Sequence, residues 1–384
     1  MPPSPTRPRE LPALDGLRAW AVLMVFNVHY FDAWWRDHYA LPTSLHDPMS
    51  VIHTGHVGVD LFFVLSGFII FHTLRRRPTR FLPFMRRRYA RLLPAHLAVA
   101  LPAIVVALAG GTGLLVVAAN VALVQQLVHG MRTFNFVTWS LSYELVWYAL
   151  AAAWFAGRAR SPRLFGWPLL GAAFVAMLAA HAFGPPRATA LHVEVPNLAR
   201  FAGFLLGFAV GKLHHDEPDL AARLAPRFAF AALPAAACVF ALRYLWTRTS
   251  DAGRVDPRFE VLFYGGCDVA FAILLAATLS ARSAVARLFA LRPLQWLGRV
   301  SYSFYLVHAL YGIPVGAGLA ARLVHPLKLG PLGTEAAGWI LGLLATSLLA
   351  ALSFEYLEKP YFQSGGGASV PVAATGGGSP RPRD

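Results

Sequence analysis

The sequence is short of charge, of acid and of cysteine, and each shortage excludes something. Only 14% of its 384 residues are Asp, Glu, Lys or Arg, where an ordinary soluble domain carries about 25%. With 57% hydrophobic residues and a mean hydropathy of +0.51, the chain is too apolar for a water-soluble globule and reads as an integral membrane protein. Its two cysteines, Cys238 and Cys267, both fall in apolar runs, which excludes a disulfide framework and a thiolate metal site and leaves them as small packing residues. Acids are outnumbered by Lys and Arg, 19 to 34, for a net charge of +15. No internal repeat of fixed period is present. The opening segment MPPSPTRPRELP is too polar and Pro-rich for a signal h-region, so the first apolar run is expected to remain as an uncleaved anchor.

What the chain does have is long apolar runs. A hydrocarbon core of roughly 30 Å takes about 20 residues of apolar helix. Ten runs suit it, near 15–34, 57–74, 89–110, 138–156, 167–183, 197–214, 227–246, 260–280, 298–318 and 337–357, which predicts an all-α membrane protein. A further piece, 113–129, carries Asn120, Gln125, Gln126 and His129 and is expected to be a re-entrant or interfacial helix. Ten crossings with an inside N-terminus place most Lys and Arg on cytoplasmic loops, the segment 75–91 alone contributing eight Arg. Both termini are then cytoplasmic and the chain is a multi-pass protein of the cell membrane. Its positive charge is accounted for by topology, so the lipid bilayer is an expected partner and nucleic acid is not. Residues 1–363 are expected to form the membrane domain, and 364–384, rich in Gly, Ser and Pro, a flexible cytoplasmic tail.

Ionisable side chains at membrane depth usually face a cavity and carry function. In LDGLRAWAVLMVFNVHY, Arg18 and His29 are eleven residues apart, about 20° from a whole number of turns and roughly 16 Å along the axis, so they share a face. Asp15 can pair with Arg18 at an i,i+3 spacing. In GHVGVDLFFVLSGFII, Asp60 lies at a depth similar to His29, with Ser66 two turns deeper. Gly55 and Gly58, like Gly203, Gly207 and Gly211, suit close helix packing. Arg75, Arg76 and Arg77 read as topology signals at an anionic lipid surface. Arg88 and Arg91, spaced i,i+3 at an expected helix N-terminus, suit a phosphate. TWSLSYELVWY sets Trp139 at the interface as a belt aromatic and makes Glu144 the only acid of its run. GRVSYSFYLVHAL puts Ser301, Tyr305 and His308 on one face with Tyr302 beside them, a pattern that suits an interhelical hydrogen-bond network as well as catalysis.

Together these motifs resemble the acyltransferase-3 family of multi-pass membrane O-acyltransferases. The Arg, ten residues, His signature stands at Arg18 and His29, and GHVGVDLFFVLSGFII, RRRYARLLP, WSLSYE, SYSFYLVH and FEYLEKP follow in the family's order over nearly the whole chain. The resemblance implies transfer of an acyl group, commonly acetyl from acetyl-CoA, to a hydroxyl, commonly on a glycan at or beyond the membrane. It also implies that the first-run His is essential and that Arg88 and Arg91 belong to the acyl-donor side. Unlike some members, no hydrolase-like domain is expected after the last run.

On this basis His29 is the expected general base, with Arg88, Arg91 and the deeper Arg18 holding the donor's phosphates or arm. Glu144 or Asp60 is expected to orient the imidazole. Ser66 and Ser140 are weaker candidates for an acyl-enzyme nucleophile, because no base adjoins either in the sequence. Trp139, Ser301, Tyr302, Tyr305 and His308 are supporting candidates. No metal and no tightly bound cofactor are expected; acetyl-CoA or another acyl-CoA is the co-substrate, and the acceptor is a carbohydrate or a small molecule such as a macrolide sugar. Intramembrane Arg, Glu and His also mark proton-coupled transporters and flippases, against which the dense Arg cluster opposite one deep His favours the enzyme.

Overall fold

In a computed structural model, residues 11–31, 54–76, 80–128, 131–183, 198–249, 257–280 and 283–363 are described. Among them every regular element is helical and no strand occurs. The expected tail at 364–384 lies outside the described residues. Helix α1 (Pro12–Tyr30) is followed by α2 (Gly58–Arg76), α3 (Phe81–Ala109), the short α4 (Leu114–Val121), α5 (Trp139–Arg160), α6 (Trp167–Phe183), α7 (Leu198–Asp216), α8 (Pro218–Thr249) and α9 (Pro257–Thr278). Two short helices, α10 (Ala284–Phe289) and α11 (Arg292–Arg299), lead into a long helical segment, α12 (Ser301–Leu327), and then α13 (Gly330–Ser353) and α14 (Lys359–Gln363).

Within the described residues, each apolar run of the sequence overlaps one of these helices. Five helical stretches, Gly55–Arg76, Phe81–Ala109, Arg258–Thr278, Ser301–Leu327 and Gly333–Phe362, are long and apolar enough to cross a membrane. The eight residues of α4 are too short for that, spanning about 12 Å. The polar groups here turn inward instead: Asn120 of α4 donates to the carbonyls of Val116 and Arg132 and accepts from the Phe134 N–H, and Gln125, in the turn after it, donates to Thr138 Oγ1.

Helices α1, α2, α7 and α9 form the tightly packed centre. Glycine decides how closely α2 and α7 approach. A Cβ on Gly207 would run into the backbone of Val64, and one on Gly67 into that of Phe204. Both backbones therefore touch, as small residues permit in membrane helices where apolar side chains gain little by leaving lipid. Phe71 and Phe208 then meet edge to face at 4.9 Å. At one end of this group Asp216 gathers Lys212 at 3.1 Å, Arg158 at 3.3 Å and Arg75 at 3.7 Å, tying the ends of α2, α5 and α7 into a single basic rim.

Three π turns share a sequence setting. They occupy His308–Gly312 and Ala320–Val324 within α12, and Phe354–Glu358 between α13 and α14. Each ends two residues before a proline, at Pro314, Pro326 and Pro360. A proline has no N–H to give and its ring clashes with the carbonyl four residues back, a clash that a widened preceding turn relieves.

Candidate active site

A cleft of about 800 Å³, open mouth included, runs between α1, α2, α3, α5 and α12. Its lining residues fall into three layers along these helices. The first layer holds Val59, Phe62, Ser140 and Tyr305; there Tyr305 donates its hydroxyl to the Val137 carbonyl at 2.6 Å and lies 2.9 Å from Ser140 Oγ. One turn on, Ser66 donates to Glu144 Oε1 at 2.7 Å. Tyr148, four residues beyond Glu144 on the same helix face, donates to that same oxygen. The last layer holds Arg18, Arg88, Arg91, Ser301 and Tyr302.

Three guanidinium groups and one carboxylate line this cavity, so it favours an anion. Arg88 donates to Thr73 Oγ1 at 3.1 Å, and its guanidinium stands over the rings of Phe84 and Tyr148 at 5.3 and 5.4 Å. Arg91 stands 5.5 Å over Phe362, and its Nε is buried without a hydrogen-bond partner. Such an orphaned charged donor has a strong preference for an oxygen ligand. Arg18 is held by Asp15 at 3.0 Å and remains partly exposed. Helix α3 begins at Phe81, so Arg88 and Arg91 lie about two and three turns inside it. The expected helix-end contribution is thereby corrected: the dipole's field is spent within the first turn, and the guanidinium forks alone provide the anion site.

His29 lies beyond the first layer, on the same helix as Arg18, and is not among the cleft's lining residues. Its Nδ1 is 2.7 Å from His308 Nε2, the two rings stack at 5.0 Å, and Phe136 closes edge-on at 5.2 Å. The fully buried His308 uses its Nδ1 on the Tyr305 carbonyl, 2.7 Å away. The shared face of Ser301, Tyr305 and His308 thus divides: the first two line the cleft and the third meets His29.

Asp60 and Glu144 do not take the place beside the imidazole that sequence spacing suggested. Asp60 is 0% exposed and receives Arg200 through two nitrogens, at 3.1 and 2.8 Å, while Arg200 also donates to the His56 carbonyl. A buried carboxylate so committed cannot turn away without stranding a guanidinium. Trp139 packs under this pair, its ring 5.2 Å from Arg200, and lies off the cleft. Glu144 is engaged by Ser66 and Tyr148. Ser66 consequently does have a carboxylate neighbour, one that sits 78 residues away in sequence.

Residues outside the expected set also shape the site. Tyr148 follows Glu144 by one helical turn, a spacing present in WSLSYELVWY. Arg200 stands in the first turn of α7 and was not singled out in the sequence. Glu358, presented by the third π turn and buried, accepts from Ser303 at 2.6 Å and lies within electrostatic reach of Arg91 and Arg18. Tyr302 donates to the Leu92 carbonyl at 2.7 Å, locking α12 to the turn of α3 that carries Arg91. No group of His, Cys, Asp or Glu able to hold a metal occurs among the described residues.

The chain is similar to several named proteins. It is 25% identical to the peptidoglycan O-acetyltransferase OatA of Listeria monocytogenes over 92% of its own length and 56% of that protein's. It is equally similar, at 25% over 92% and 55%, to the putative peptidoglycan O-acetyltransferase YrhL of Bacillus subtilis. A shorter match, 32% identical, relates 40% of the chain to 41% of the acyltransferase MdmB of Streptomyces mycarofaciens. The chain therefore spans a little over half the length of the two peptidoglycan relatives. No solved structure matches it. The acyltransferase-3 sequence model, described as an acyltransferase domain, matches residues 11–355, and the chain belongs to that family.

Proposed function

We propose that this protein is a membrane O-acyltransferase that moves an acyl group, acetyl in the simplest case, from acyl-CoA to a hydroxyl of a cell-surface or exported glycan. The observation that carries the proposal is the cationic cleft, in which Arg18, Arg88 and Arg91 stand at one end and His29 lies just past the other. An acyl-CoA has phosphates for the arginines and a thin arm that can follow the layers toward the histidine. Names of the peptidoglycan relatives favour a glycan as acceptor class. In this account the chain crosses the cell membrane about ten times with both termini cytoplasmic, the Arg75, Arg158 and Lys212 rim facing the cytoplasm. The donor is a co-substrate, and no resident cofactor takes part.

The transfer needs a base and a charge-balanced path. His29 removes the proton as the acceptor oxygen bonds to the thioester carbon. The carbon–sulfur bond then breaks, and the same proton passes from His29 to the departing thiolate, giving ester and free CoA. Positioned base catalysis of this kind contributes typically about 10²–10⁴-fold. Glu144, with Ser66 and Tyr148, balances the arginines and fixes Tyr148 under Arg88. Asp60 and Arg200 brace the α2/α7 pair beside the first layer.

Incubating purified protein with labelled acetyl-CoA and a peptidoglycan fragment, or separately a macrolide, tests the proposal. Acceptor-dependent CoA release with label on the acceptor is the expected result, and the better acceptor identifies the substrate class. A protein that moves either compound across vesicles without releasing CoA is a transporter.

A further inference from the structure

The pair formed by His29 and His308 has a definite proton arrangement, which follows from counting donors and acceptors. A backbone carbonyl can only accept. The Tyr305 carbonyl lies 2.7 Å from His308 Nδ1, so that nitrogen carries the hydrogen. A neutral imidazole bears one hydrogen, so His308 Nε2 has a lone pair and accepts. Its neighbour at 2.7 Å, His29 Nδ1, must then be the donor. The lone pair of His29 is left on Nε2, on the ring edge away from His308.

We infer that His308 is a positioning residue that holds His29 in the Nδ1–H tautomer, so that His29 Nε2 is the atom that receives the acceptor's proton. The inference rests on the base role proposed above for His29 and adds the group that makes that role available. When His29 takes the proton on Nε2, its Nδ1–H still donates to His308 Nε2, now as a charge-assisted bond that stabilises the imidazolium. The proton goes no further, because His308 Nδ1 already holds a hydrogen directed at a carbonyl that cannot take it. His308 therefore orients and stabilises without shuttling, the part that a carboxylate plays in a serine protease triad.

The surroundings fix the geometry. His308 is 0% exposed and stacks on Phe304 at 6.4 Å, with Tyr305 tilted against it at 5.7 Å. It opens the first π turn, the kind of helical irregularity that recurs at functional sites. Phe136, edge-on at 5.2 Å, limits rotation of the His29 ring. Tyr305 joins both regions: its hydroxyl is in the cleft's first layer and its carbonyl anchors His308.

His308→Phe keeps an aromatic ring but removes both nitrogens, and His308→Gln keeps an acceptor facing His29. The phenylalanine variant is expected to lose about 10²-fold or more in kcat with the KM for acetyl-CoA unchanged, and the glutamine variant to recover most of that loss. His29→Ala, assayed beside them, is expected to be inactive. Wild-type kcat in His308→Phe with His29→Ala inactive overturns the role of His308 and leaves the base assignment standing. Wild-type kcat in His29→Ala removes the base assignment itself. Equal loss in His308→Phe and His308→Gln, both folded, also overturns the inference, since restoring the acceptor would then restore nothing. Nitrogen NMR of the histidine-labelled protein reads the tautomer directly: signals present in the wild type and missing from folded His29→Ala should report hydrogen on Nδ1, and hydrogen on Nε2 of the neutral ring contradicts the inference.

Discussion

Arg88 and Arg91 carry the most exposed claim at the scale of single residues. Both are held by aromatic rings, one donates to a threonine, and one has a donor with no partner. A hydrogen bond to a charged group is worth about 1.5–3 kcal/mol. Replacing both arginines by glutamine should therefore raise the KM for acetyl-CoA by about 10- to 100-fold or more, with the KM for the acceptor unchanged. Steady-state kinetics with each substrate varied in turn measures this. An unchanged donor KM would reduce the arginines to topology signals. The identities of Arg18, His29, Arg88, Arg91 and Glu144 were legible in the sequence because ionisable groups in apolar runs are costly and few. Their partners were not. Asp60 and Arg200 are separated by 140 residues, and Ser66 and Glu144 by 78, and no local spacing reports a contact made by folding.

At the scale of elements, the α2/α7 crossing is set by Gly67 and Gly207. A side chain at Gly207 has no flexible neighbour to displace, only backbone. Gly207→Leu should thus cost at least about 1–3 kcal/mol, lower the melting temperature in detergent, and push apart the helix that carries Ser66 and the helix that carries Arg200. A melting temperature equal to wild type would mean that the two helices are not in backbone contact. The long helices were legible as apolar runs, and the packing role of the glycines with them, whereas the short helices at 284–289, 292–299 and 359–363 were not. The π turns were not recognised, although the prolines that follow them are visible at positions 314, 326 and 360. The first of these turns begins at the histidine that meets His29, so a local irregularity of α12 is part of the site.

At the scale of the whole molecule, the helices alternate so that Arg18, Arg88, Arg91 and Ser301 gather at one end of the cleft while Val59, Ser140 and Tyr305 gather at the other. Sequence order alone prescribes this, because successive antiparallel helices return the start of one run to the end of the last. The basic rim around Asp216 joins the ends of α2, α5 and α7, and His29 lies past the opposite end of the cleft. In the proposed transfer, donor and acceptor approach from opposite faces and meet near this histidine. This arrangement is tested most directly in sealed proteoliposomes loaded with a hydroxyl acceptor, with labelled acetyl-CoA added only outside. The expected result is labelled ester inside, free CoA outside, and neither with His29→Ala. Ester formed only when acceptor and acetyl-CoA share the outside face would contradict it.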